Sequence, residues 1–91
     1  MLNNQYLKDP SAELDYVFDW SEWLATGETI TTPVITADTG ITVDGSSESD
    51  GKVTVWLSGG TAGQNYKVAC LITTSAGRID ERTIWIKVTD R

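Results

Sequence analysis

From Tyr66 to Thr73, and again from Thr83 to Val88, apolar and polar side chains change places at every residue. Tyr66, Val68, Cys70 and Ile72 alternate with Lys67, Ala69, Leu71 and Thr73, and Ile84, Ile86 and Val88 alternate with Thr83, Trp85 and Lys87. A period of two is the repeat of a strand that buries one face, and it is incompatible with the 3.6-residue repeat of a helix. Ser75, Ala76 and Gly77 separate the two stretches, so residues 66–74 and 78–89 are predicted to form an antiparallel hairpin. Val53, Val55 and Leu57, alternating with Thr54, Trp56 and Ser58, add a further strand, and Ser58 to Gly63 reads as the loop that follows it.

The N-terminal half is less regular. Leu14 to Phe18 is extended in character, and Ser21 is expected to cap one helical turn that Gly27 ends. Ile30, Thr32 and Val34 suggest a strand, and Pro33 within it lacks the donor that a central ladder requires, which places the strand at an edge or a bulge. Ile41 and Val43 begin another short strand. Asp44 to Gly51 then reads as an eight-residue polar loop that nothing apolar anchors, and mobility is expected there. No stretch suits a long helix.

At 91 residues the chain has room for one core. Short strands with frequent turn signals indicate a β-sandwich, and a lone cysteine, Cys70, excludes an internal disulfide. Tyr66 opens the penultimate strand three residues after Gly63, with Val68 two positions on. Immunoglobulin domains place a tyrosine corner and their second cysteine at this spacing, so valine here stands where the cysteine would be. The expected fold is an all-β, immunoglobulin-like antiparallel sandwich of six to seven strands without a disulfide. In it Tyr66 either hydrogen-bonds backbone in the loop before it or is ordinary core. Residues 1–8 are expected to be a flexible N-terminal arm and 9–91 a single domain. No apolar run approaches the roughly 20 residues of a membrane span, and Met1 to Leu7 lacks a signal pattern, so a soluble, unprocessed protein is expected.

The net charge of −6 repels a phosphate backbone and argues against nucleic acid as a partner. The charge is uneven. Residues 1–50 hold ten acids and only Lys8 as a base, whereas residues 51–91 hold three acids and six bases. Interleaving of the halves would neutralise this within one molecule; otherwise complementary faces meet on neighbouring copies.

Catalytic chemistry finds few candidates. The chain has no histidine, which removes the usual general base and the commonest metal ligand, and Cys70 on an apolar strand face reads as an inert buried thiol. Asp15 and Asp19 share a face, yet no cleft is in prospect and a structural role is expected. Asp44, Glu48 and Asp50 lack the spacing of a calcium loop, and Gly59 and Gly60 lack the motif of a phosphate cradle. No catalytic, cofactor or metal site is expected.

Tryptophan is the richer signal. Trp56 and Trp85 fall on the faces of their strands opposite the apolar residues. Each therefore packs beneath residues 14–24 or forms part of a contact surface. The candidate protein interface comprises Trp56, Trp85, Arg78 and Arg82, with Trp20 and Trp23. A flat pair of outward tryptophans would instead suit a carbohydrate-binding module.

Lys8, Asp9 and Pro10, then Leu14, Asp15, Tyr16, Phe18, Asp19, Trp20, Ser21, Trp23 and Leu24, with Gly27 to Ile30, resemble the N-terminal signature of small tailed-bacteriophage virion proteins described as fibre-tail adaptors. Trp56 to Thr61, Gly63, Tyr66 and Val68, followed by Ile72 to Arg78 and Asp80 to Arg82, are similar to the second half of that family. The resemblance covers nearly everything from residue 8 onward and is weakest over 31–52. It implies an immunoglobulin-like virion protein, assembled in the bacterial host cytoplasm, that joins fibres or other components to the neck or tail. Its partners would be neck, tail or fibre subunits in a symmetric, multi-copy assembly, with no catalytic site. A head or capsid decoration protein shares the same chemistry and differs only in partner.

Overall fold

The structure, a computed structural model, describes residues 5–90. Within them the chain forms seven strands: β1 (Gln5–Lys8), β2 (Leu14–Asp19), β3 (Ile30–Ala37), β4 (Ile41–Ser49), β5 (Lys52–Gly59), β6 (Asn65–Thr74) and β7 (Ile79–Val88). One sheet has the order β1-β7-β6-β3 and the other β2-β5-β4. The alternation that predicted the hairpin sets its register, with Tyr66 opposite Ile86, Val68 opposite Ile84 and Cys70 opposite Arg82. Facing inward from the other sheet are Tyr16 and Phe18 of β2 and Val53, Val55 and Leu57 of β5, so the buried residues of both sheets form one core. Cys70 is a free, buried thiol within that core.

Every strand pair is antiparallel except one. β1 crosses to the far sheet and runs parallel to β7, Gln5 beside Trp85 and Lys8 beside Val88, so the first strand joins the last. The expectation of a flexible arm over residues 1–8 accordingly meets a strand at residue 5; Met1–Asn4 lie outside the described residues. Lys8 explains why a polar tetrapeptide is held. Its side chain is fully buried, and its ammonium donates to the carbonyls of Gly59 (2.7 Å) and Asp9 (2.9 Å), tying the end of β1 to the end of β5. Burial lowers the pKa of that ammonium, which the nearby Asp9 and Asp44 carboxylates partly oppose.

Tyr66 makes the tyrosine-corner bond: its hydroxyl oxygen accepts the backbone N–H of Thr61 at 2.9 Å. Two glycines make room for the ring. A Cβ at Gly40 would lie 2.8 Å from Tyr66 Cε1, and one at Gly60 would lie 2.6 Å from Val88 Cγ2 and 3.3 Å from Tyr66 Cε2.

Pro33 sits as expected on an edge strand, β3. The supposed polar loop over 44–51 is different. Asp44 to Ser49 continue β4 along β5, and Asp50 (φ 55°) and Gly51 (φ 80°) alone make the turn, with Ser49 paired to Lys52. Two consecutive positive φ angles are the geometry of a type I′ hairpin turn, for which Asp-Gly is a favoured pair. Backbone pairing, with no apolar anchor, orders this stretch, and a bulge between Val43 and Gly45 absorbs its irregularity. At Ser21 no helix forms. The chain makes a single turn in which the N–H groups of Trp23 and Leu24 donate to the Trp20 carbonyl, and the carboxylate of Asp19 caps it by accepting the Ser21 N–H (2.8 Å).

Candidate functional site

Where an outward aromatic ends up depends on which sheet its strand joins. On the β1-β7-β6-β3 face, Trp85 is 43% exposed, with Gln5 of β1 and Lys67 of β6 as its direct neighbours across the ladder. Lys87 projects on the same side two residues further along β7. The remainder of this face is apolar at both ends: Val34 and Leu71 are paired neighbours, Ile79 follows on β7, and Leu7 lies beside Lys87, all of them exposed. Between these ends the row Thr36, Ala69, Thr83 is small-sided.

Trp56 belongs to the other sheet. It is 44% exposed at the centre of the β2-β5-β4 face, flanked by Asp15 of β2 and Gly45 of β4. The bulge in β4 brings a glycine opposite the indole, so no side chain covers it from that direction. Val17, Thr54 and Ser47 form the next row, then Asp19, Lys52 and Ser49. Trp56 and Trp85 thus occupy opposite outer faces of the sandwich. Both point outward and neither lies beneath residues 14–24, but they form no shared platform, which removes the geometry that a carbohydrate-binding surface built on the pair would need.

The other four candidates make contacts within the fold, and Arg78 and Arg82 still keep 44% and 41% of their side chains exposed. Trp20 is fully buried; its indole N–H donates to the Asp80 carboxylate at 2.8 Å and its ring lies against Phe18, 6.1 Å between centroids. Arg82 closes this end of the core, its guanidinium 4.9 Å from the Trp20 ring centroid and donating to the Asp19 carbonyl. Trp23 is partly buried against the core beneath the Arg78 guanidinium, 3.9 Å from its ring centroid. Arg78 donates to both oxygens of Glu28, whose carboxylate also accepts the Thr74 hydroxyl and the Ala25 N–H (2.9 Å). Hydrogen bonds from Arg78 and Thr74 hold the Glu28 carboxyl down to about 2. This cluster straps the 20–29 segment to the β6–β7 turn. Nothing local in the sequence marked Glu28 as the partner of Arg78, whose side chain remains 44% exposed.

The chemical candidates do not converge: Asp19 borders one hollow, with Glu81 and Arg82, while Glu48 and Asp50 border another. Burial pushes the Cys70 thiol up to about 11. Asp15 and Asp19 lie on the open outer face of β2. Gly59 and Gly60, both at positive φ, make the turn after β5. Among the described residues no three His, Cys, Asp or Glu side chains gather as a metal site would require. A hollow of about 760 Å³ runs along the seam between β2 and β7, with Phe18 and Ile84 in its lining and Trp85 at its rim. Its lining is mixed, with Gln5, Asp19, Glu81 and Arg82 beside the apolar residues, and it continues the Trp85 surface around the side of the sandwich.

Fold and faces together define a disulfide-free immunoglobulin-like structural module whose distinctive surface chemistry is one exposed tryptophan on each sheet. The chain belongs to the family described as podophage GP4 fiber-tail adaptor protein gp77, whose profile matches residues 8–87. Among individually curated proteins none matches. Membership makes it a structural protein of a tailed bacteriophage and a component of the virion, in agreement with the resemblance found in the residues of both halves.

Proposed function

We propose that the chain acts as a two-faced adaptor that joins fibres or other components to the phage neck or tail, its opposite sheet faces serving as separate docking surfaces in a symmetric, multi-copy assembly. The observation behind this is the placement of Trp85 and Trp56, 43% and 44% exposed, at the middle of opposite faces. Tryptophan is among the residues that most often dominate binding energy when an interface covers it. The molecule measures 42 × 28 Å across its two longer axes, enough for a footprint of about 800 Å² per partner on each side. Two docking faces on one rigid body make a bridge, and a bridge is what an adaptor must be.

Complementation of a phage lacking this protein tests the reading. Trp85→Glu and Trp56→Glu each place a charge at the centre of one face without touching the core. Both are expected to fold, by circular dichroism, and to be absent from purified virions, while Gln64→Glu at the end of the sandwich incorporates normally. Wild-type copy numbers of both tryptophan variants in the virion would refute it.

A further inference from the structure

The partner that best fits each face is the opposite face of another copy. This inference rests on the reading of both sheet faces as docking surfaces, and it begins from charges left unmatched inside the molecule. The uneven charge of the sequence is only partly cancelled by folding. The β2-β5-β4 strands contain Asp15, Asp19, Asp44 and Glu48 against Lys52, whereas β1-β7-β6-β3 contain Lys8, Lys67, Arg82 and Lys87 against Asp80 and Glu81. Arg78 pairs with Glu28 and Arg82 with Asp80, and among the described residues Lys67, Lys87 and Asp15 enter no ion pair. These three charges are the ones beside the exposed tryptophans.

The two faces are opposite in overall sign around their tryptophans. Lys67 is the direct ladder neighbour of Trp85 and Lys87 projects next to it; Asp15 is the direct ladder neighbour of Trp56. The minority charges agree too. Glu81 lies four residues before Trp85 on β7, and Lys52 lies four residues before Trp56 on β5, in both cases about 13 Å at the strand rise. With β7 of one copy laid along β5 of the next in the same direction, Trp85 meets Trp56 and Glu81 meets Lys52, while Lys67 falls on the β4 side of the contact and Asp15 on the β1 side, so the lysines and Asp15 attract across the indoles without pairing directly. Indoles prefer an offset stack, and a lysine at the rim of the neighbour's indole adds a cation–π contact.

We propose that this protein self-associates head to tail, the Trp85–Lys67–Lys87 face of one copy docking on the Trp56–Asp15 face of the next. Such a contact is heterologous: it leaves one free face of each kind at the ends of every assembly, and it generates a ring where the rotation closes and a stack where it does not. It gives the adaptor a way to present many copies while its strand edges and loops stay open to other components.

Sedimentation of the full-length chain over a range of concentrations and salt tests this. The wild type is expected to grow past the dimer as concentration rises, and less so at high salt, where exposed charge pairs are screened. A variant with Lys67→Glu and Lys87→Glu, and a second with Trp56→Glu, are each expected to be monomeric, with self-association weakened roughly 30-fold or more. An equimolar mixture of the two restores one good interface and stops at a 1:1 dimer. A wild type that stays monomeric, a variant that still dimerises through one face with itself, or a mixture with no heterodimer overturns the proposal. Circular dichroism confirms that each variant folds. Failure here with loss of the tryptophan variants from virions defeats self-association and leaves the adaptor reading standing; normal incorporation of those variants defeats the adaptor reading itself.

Discussion

Glu28 shows how much one side chain can decide. Its carboxylate is nearly inaccessible, with 3% of the side chain exposed, and is held by Arg78, Thr74 and the Ala25 N–H. Its folded pKa lies at about 2, below the ordinary glutamate value, so the folded state binds fewer protons there than the unfolded chain does. The resulting stabilisation is complete above the ordinary value and is lost as pH falls toward 2. Denaturant titrations at a series of pH values are expected to show an acid limb between about pH 5 and 2 in the wild type. Glu28→Gln starts less stable at neutral pH and has a flatter acid limb; an unchanged limb would show that other carboxylates set it. Cys70 gives a second test at this scale. Fully buried, with its thiol pushed up to about 11, it is expected to react with a thiol reagent only as fast as the domain opens, and at once in denaturant. Prompt labelling of the folded protein would contradict its burial.

Among the strands, legibility followed the apolar alternation. β5, β6 and β7 were readable because one face of each is buried against the other sheet, and burial is what writes a period of two into a sequence. The proline of β3 was readable as an edge marker for a different reason, its missing donor. The start of β4 was readable in Ile41 and Val43, but its second half was not, since Asp44 to Ser49 hold no apolar residue and owe their order to pairing with β5; the one local sign is the Asp50-Gly51 turn pair set in a polar run. β1 was hidden because its order comes from a strand some 80 positions away and from a buried lysine, neither of which leaves a local pattern. For the candidate site, alternation placed Trp56 and Trp85 outward, but only strand order could assign them to different sheets, and only tertiary contacts could bury Trp20 and give the partly exposed arginines their partners. The Asp50-Gly51 turn supplies a test. Gly51 has φ 80°, and a Cβ there would lie 3.0 Å from Leu24 Cδ1 and 3.1 Å from the Ser21 Cα. Gly51→Ala is therefore expected to cost about 1–3 kcal/mol in equilibrium unfolding. A cost near zero would mean that the turn and the 20–24 segment yield together.

Seen whole, the molecule is a sandwich whose two sheets differ in chemistry more than in shape. One outer face is lysine-flanked and apolar at both ends; the other sets Asp15 and Asp19 beside Trp56 and Val17, with Lys52 and small polar residues around them. A body built this way is polar across its thickness, which favours ordered, same-direction stacking over symmetric pairing. The charged rims also keep the apolar ends of the first face from acting as an indiscriminate patch.

The parallel pairing of β1 with β7 has a mechanical meaning. Tension applied between residues 5 and 90 pulls the start of β1 and the end of β7 in opposite directions along the strand axis, so the ladder is loaded in shear and its hydrogen bonds must yield together, not one at a time. Lys8 adds a pin at the end of the same strand through its bonds to Gly59 and Asp9. Stretching single molecules by their ends is expected to give one high-force rupture in the wild type and a lower force in Lys8→Ala, whereas an unchanged force would place the resistance elsewhere. Such a pairing suits a structural component of a virion that must keep its shape under end-to-end load.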